Sequence, residues 1–150
     1  MDKYIGTKLI EAEPMNLGDY NKFKGWDIPK DENPLREGYK VKYSDDYISW
    51  SPKEEFEKAY RHIDNLTFGL AIEALKKGLR VVRRGWNGKG MFIYYVPENS
   101  YPSNTGIAKE QFGEMVDYNQ YLAIKNVNNT VSTWVPSIND CLAEDWEALI

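Results

Sequence analysis

Apolar residues change their spacing at Gly78, and that change constrains how the second half of the chain can fold. Before it, Phe68, Ala71, Ile72 and Leu75 recur at i, i+3, i+4 and i+7, the period of a helix with one apolar face. Thr67 stands where an N-cap is needed, and Gly78 where a helix stops. After it, residues 79–84 and 91–96 read as strands, and GWNGKG between them holds a turn signal at Asn87 and Gly88. Residues 121–127 and 130–135 form a second hairpin, joined by Asn128 and Asn129, which both tolerate positive φ. Residues 98–106 read as a polar loop between the hairpins. Pro136 and Ser137 open a last short helix with Ile138, Cys141 and Leu142 on one face, and the chain ends in the apolar Trp146, Leu149 and Ile150. Helices set beside antiparallel hairpins predict an α+β fold of short strands and few helices.

The first half reads as a separate small module, residues 1–64, ahead of a second at 65–150. Residues 7–12, 39–43 and 47–50 are its expected strands, and 16–38, rich in Gly, Pro, Asp and Asn, its loop. Ser51 as N-cap, Pro52 at the first position and Glu54 as capping-box partner open a helix. Its stripe of Phe56, Ala59, Tyr60 and Ile63 is an expected core face. A chain of 150 residues is long enough for two very small modules of this kind.

Several functions are excluded by what is scarce. The longest apolar run, residues 91–96, is far short of the roughly 20 residues of a membrane span, and MDKYIGTKLI has no apolar leader stretch. One cysteine (Cys141) and one histidine (His62) leave no disulfide, no CxxC pair and no His-rich metal site, so no metal and no cofactor is expected. A Cys141–His62 catalytic pair lacks an orienting third group in the sequence. The C-terminal carboxylates Asp140, Glu144, Asp145 and Glu147 match no known catalytic motif, and Asp140 also suits a helix N-terminus. No catalytic residue is assigned, and a binding module is the expected class.

Charge and the glycine-rich loop point to a ligand. The net charge of −4 argues against a duplex nucleic-acid binder. Yet residues 74–97 contain no acid and six bases: Lys76, Lys77, Arg80, Arg83, Arg84 and Lys89, so the rest of the chain carries −10. Such an island suits a small anion better than a polyanion. Within GWNGKG, Trp86 offers a face for stacking, Gly85, Gly88 and Gly90 permit close approach, and Arg84 and Lys89 suit phosphates. A core-anchored turn is the structural alternative. The loop is not a P-loop, because the GxxxxGK[ST] spacing is absent.

FGLAIEALKKGLRVVRRGWNGKGMFIYYVP, followed by WVPSINDCLAEDWEAL, resembles the phage Thoeris anti-defence 2 family over residues 66–150. Residues 97–118 match no part of that pattern. GTKLIEAEPMNLGDYNKFKGW with GYKVKY and YISWSPKEEFEKAY resembles a small module of many phage proteins, from which no activity follows. The family resemblance implies an oligomeric protein, a tetramer or larger, acting in the host bacterial cytoplasm. It implies binding without cleavage of cyclic nucleotide signals: glycocyclic ADP-ribose of Thoeris, and for some members cyclic oligonucleotides of CBASS. Carried over by motif, its ligand-binding residues here are Arg84, Trp86, Asn87, Gly88 and Lys89, with Trp134, Ser137 and Asp140. In those roles Trp86 stacks on adenine, Asn87 meets a base or ribose edge, and Arg84 and Lys89 meet pyrophosphate. Ser137, at a helix N-terminus, meets a phosphate or ribose oxygen, and Asp140 faces ribose hydroxyls.

Affinity also bears on assembly. Nanomolar sequestration needs about −12 kcal/mol. One stacked base supplies roughly 1–3 kcal/mol and each charge-assisted hydrogen bond roughly 1.5–3. Association costs about 4–15 kcal/mol, so one exposed loop falls short and a pocket between protomers is expected. The strand MFIYYV is a candidate interface and equally a candidate core strand. Two rivals remain: a phage structural or interaction adaptor, which binds no nucleotide, and a hydrolase of the nucleotide signal.

Overall fold

Caps and registers account for most of the secondary structure in the computed structural model, which describes every residue except Asn87. The chain separates into two compact units, Met1–Arg61 and His62–Ile150. Among the described residues there are five helices and ten strands, every paired strand antiparallel, so the fold is α+β.

In the first unit, strands β1 (Glu11–Pro14), β2 (Gly38–Lys42) and β3 (Ile48–Pro52) form one sheet in that order. The strand expected at 7–12 starts later, because Glu11 pairs with Lys42 and the partner chain then turns, Tyr43 N–H donating to Tyr47 O. Residues before Glu11 therefore have no ladder to join. The segment expected as loop contains α1 (Leu17–Lys24). Asn16 caps it by accepting from Asp19 N–H at 2.8 Å, and Gly25 ends it at φ +71°. The Asn and Gly that suggested a loop are the two caps of a short helix.

Helix α2 (Lys53–Ala59) has no side-chain cap. The expected capping box does not form because Ser51 and Pro52 belong to β3, opposite Tyr39 and Gly38. The apolar stripe is also shorter than expected. Phe56 stacks between Tyr39 (4.1 Å) and Tyr60 (5.1 Å), whereas Ala59 is exposed and Ile63 packs in the second unit.

The second unit opens with α3 (Phe68–Lys76), capped by Thr67 Oγ1 and followed by Gly78 at φ +86°. Strands β4 (Arg80–Arg83), β5 (Phe92–Val96), β8 (Tyr121–Lys125), β9 (Val131–Thr133) and β10 (Trp146–Leu149) form a sheet ordered β10-β4-β5-β8-β9. One face carries Val81, Ile93, Trp146 and Ala148, buried beneath Ala71, Ala74 and Leu75 of α3. The C-terminal strand β10 lies beside β4 and continues into a Leu66–Trp146 bridge.

Residues 98–106 are not all loop. Strands β6 (Asn99–Pro102) and β7 (Met115–Tyr118) pair as a separate ribbon, joined through α4 (Gly106–Phe112). The β8–β9 connection closes with Asn126 N–H on Thr130 O at 2.8 Å. Three residues lie between, with Asn129 alone of the two asparagines at positive φ, a loop one residue longer than expected. Helix α5 (Ile138–Leu142) begins at Ser137, but Ile138 and Leu142 are exposed. No described helix is long and apolar enough to cross a membrane.

Candidate ligand-binding site

Arg83 ends strand β4 and Arg84 follows it directly, and the two side chains find partners on opposite faces of the sheet. On the helix-covered face, Arg83 is held by Asp145 (Nε to Oδ1, 2.9 Å) and by Asp140 of α5 (3.1 Å). Those bonds, Asp145 first, push the guanidinium pKa above its ordinary value. On the other face, Arg84 pairs with Glu147 of β10 at 3.3 Å and donates to the Asp64 carbonyl. It remains more than half exposed.

The acid-free island of the sequence is therefore not acid-free in space. Strand β10 and helix α5 bring carboxylates to Arg83 and Arg84, and Glu73 reaches Lys76 at 3.4 Å. Among the described residues, Lys77, Arg80 and Lys89 have no carboxylate at ion-pair distance, and all three are exposed. A local reading along the chain misses such pairs, because each carboxylate at Arg83 and Arg84 lies 57 to 63 residues away.

Trp86 follows after Gly85 and is half-buried. Its ring meets Trp146 edge-on at 5.7 Å and Trp134 at 6.4 Å, while Phe68 touches both Trp134 and Trp146. Trp146 is fully buried and donates its indole N–H to the Asp140 carbonyl at 2.9 Å. Trp86 is thus anchored to the core through Trp146, and its partial exposure leaves ring surface for a ligand. The structure brings Trp86 and Trp134, one from each motif, to 6.4 Å between ring centroids. Trp146, which packs against both, is a supporting residue that sequence reasoning does not assign, because its four-residue strand gives no clean alternation to mark it.

Ser137 and Asp140 meet each other first. Asp140 Oδ2 accepts from both the Ser137 amide and hydroxyl at 2.9 Å, and the Asp140 amide donates back to Ser137 Oγ at 3.1 Å. Burial raises the carboxyl pKa, but the Ser137 bonds and Arg83 outweigh it, and the net shift is downward. Ser137 is therefore committed to the capping box, and Asp140 to the capping box and to Arg83.

Around the loop itself, Gly88 is half-buried: a Cβ there would strike Met91 and Val127. Gly90 takes φ +75°, and Lys125 Nζ donates to its carbonyl at 3.1 Å. The expected ligand residue Asn87 lies outside the described residues. Lys125 and Arg80 flank the Phe92 ring, at 5.8 and 5.1 Å from its centroid. Phe92, Tyr94 and Val96 alternate with the buried Ile93 and the core-packed Tyr95. The strand MFIYYV is therefore core on one face and partly exposed on the other. His62, exposed, pairs with Asp64 at 2.6 Å, and Cys141 is half-buried.

Two comparisons with known proteins bear on this site. A family model described as the Thoeris anti-defense 2-like domain matches residues 66–149. Thoeris anti-defense 2 of Bacillus phage SP01 is 40% identical over 85 residues, covering 55% of this chain and 92% of that protein. The family model spans the part of the second unit that carries the GWNGKG loop, the aromatic cluster and α5.

Proposed function

On the premise that the chain belongs to the Thoeris anti-defense 2-like family, we propose that it is a phage anti-defence sponge. It holds a cyclic nucleotide immune signal inside the infected host cell without cleaving it, and so keeps the signal from its effector. Glycocyclic ADP-ribose is the first ligand class and cyclic oligonucleotides of CBASS the second. The observation that carries the reading is Trp86: a tryptophan fixed edge-on to the buried Trp146, half open, in a glycine-rich loop with the exposed cations Arg84 and Lys89. A rigid aromatic face beside cations suits a base joined to a pyrophosphate.

Trp134 extends that aromatic surface, and Asn87 completes the ligand set as a base- or ribose-edge contact. Ser137 and Asp140 act one step back, through Arg83 and the seating of α5. A single loop of this kind does not reach nanomolar affinity, so protomers join to enclose the ligand. The sheet face bearing Phe92, Tyr94 and Val96 is the proposed contact between them.

Purified protein is incubated with lysate of cells in which Thoeris or CBASS is active, washed and heat-denatured, and the released ligand is read by mass spectrometry. Intact cyclic nucleotide is the expected result. A linearised product overturns sequestration in favour of hydrolysis, and no retained nucleotide favours the adaptor reading.

A further inference from the structure

Both glycines that flank Lys89 lie close to the neighbouring hairpin, and we propose that Lys125 is the positioning residue that sets the binding shape of residues 88–90. The inference rests on the sponge reading above. Lys125 ends β8 and pairs in register with Phe92, the first residue of β5, so the two side chains share a face. Its ammonium lies near the Phe92 ring and donates to the Gly90 carbonyl at 3.1 Å. Gly90 sits at φ +75°, a conformation that favours glycine, so this bond secures a peptide that other residues would not place there.

A second hold lies two residues earlier. Gly88 rests against Met91 and Val127, the latter in the β8–β9 connection. Lys125 and Val127 thus approach the chain on the two sides of Lys89, whose side chain is exposed and free of ion pairs among the described residues. Lys125 is likewise without a carboxylate partner among the described residues, so its charge is directed at a backbone carbonyl and an aromatic face. Pre-organising Lys89 and the loop amides in this way lowers the ordering cost of binding.

The test compares Lys125→Met and Lys125→Arg with the wild type, all as full chains. Amide hydrogen exchange is read across residues 88–91, and glycocyclic ADP-ribose made by a Thoeris TIR enzyme is titrated by calorimetry. In Lys125→Met, exchange of those amides is expected to rise about fivefold while the sheet strands keep their protection. Binding is expected to weaken about tenfold, equivalent to about 1.4 kcal/mol. Lys125→Arg restores both to within about threefold, since a guanidinium also donates to a carbonyl. Unchanged exchange at 88–91 in Lys125→Met overturns the proposal, even if binding falls, because Lys125 then acts by touching the ligand. A rise in exchange across the whole unit overturns it too. If the wild type does not bind, the sponge reading fails and the exchange measurement alone decides the role of Lys125.

Discussion

Asp140 shows how a residue that looks like a ligand contact can be held by its own protein. Its carboxylate takes bonds from Ser137 and Arg83, and its carbonyl takes the Trp146 indole. Because the folded pKa is lowered, this carboxylate stabilises the fold fully above the ordinary value near 3.9, and the contribution is lost as pH falls through the lower folded value. Asp140→Asn is expected to lose roughly 1–3 kcal/mol in urea denaturation at pH 7, and the gap to wild type should narrow below about pH 4. A gap independent of pH would exclude the charge as its cause. At the loop, Arg84→Ala removes a half-exposed pair with Glu147, worth roughly 0.2–1 kcal/mol, and so should leave the fold intact. Trp86→Ala removes part of the aromatic cluster and should cost roughly 1–3 kcal/mol without unfolding the unit. Each is expected to weaken nucleotide binding more than tenfold; wild-type calorimetric affinity in both would reject these residues as ligand contacts. The loop residues could be singled out in sequence because glycine, tryptophan and cations cluster within a few positions. Arg83's partners and Lys125 could not, since those contacts span 35 residues or more of chain.

At the scale of elements, the GWNGKG turn depends on the hairpin beside it. A methyl group at Gly88 meets the Met91 side chain and Val127, so Gly88→Ala should cost roughly 1–3 kcal/mol and lower the melting temperature. Adding Met91→Ala makes room, and the double variant should be more stable than the sum of the two single losses, a coupling read by a double-mutant cycle. Strict additivity would mean that the two do not meet. The α3–β4–β5 succession was legible because period, cap and stop all agree between Thr67 and Val96. Helix α1 was not, because Asn16 and Gly25 serve equally as loop residues and as caps, and eight residues leave little room for a period. Strand β10 was hidden for a related reason: four residues, with Leu149 on the side opposite Trp146, do not alternate cleanly between apolar and polar. Residues 97–118 gave no pattern because their ribbon buries little; Val116 is its buried hydrophobic residue among those described, and Ile107 and Phe112 stay exposed.

For the whole molecule, the matched region begins at residue 66, and the Met1–Arg61 unit lies outside it. That region of the chain is evenly charged, with 11 basic and 14 acidic residues over positions 1–64, and offers no cationic island. The second unit is expected to bind nucleotide without it, but the cut must respect the sheet. Ile63 O accepts from Ala148 N–H at 2.7 Å, and Leu66 exchanges both backbone bonds with Trp146. A chain beginning at His62 keeps these bonds and should fold by circular dichroism and bind as the full chain does. If it folds and assembles yet no longer binds, the first unit contributes to the site. The chain divides after Arg61, ahead of the N-cap at Thr67, and the bond from Ala148 to Ile63 ties the start of the second unit to the far end of the chain. The contact of Trp86, Trp134 and Trp146, within 6.4 Å of one another, has an optical consequence. Indoles this close and mutually tilted share their electronic transitions, so the unit should show a paired positive and negative band in its ultraviolet circular dichroism. Trp26 and Trp50, in the other unit, take no part in that trio. A base laid on Trp86 would add a fourth chromophore to it, and binding would then be visible without any label.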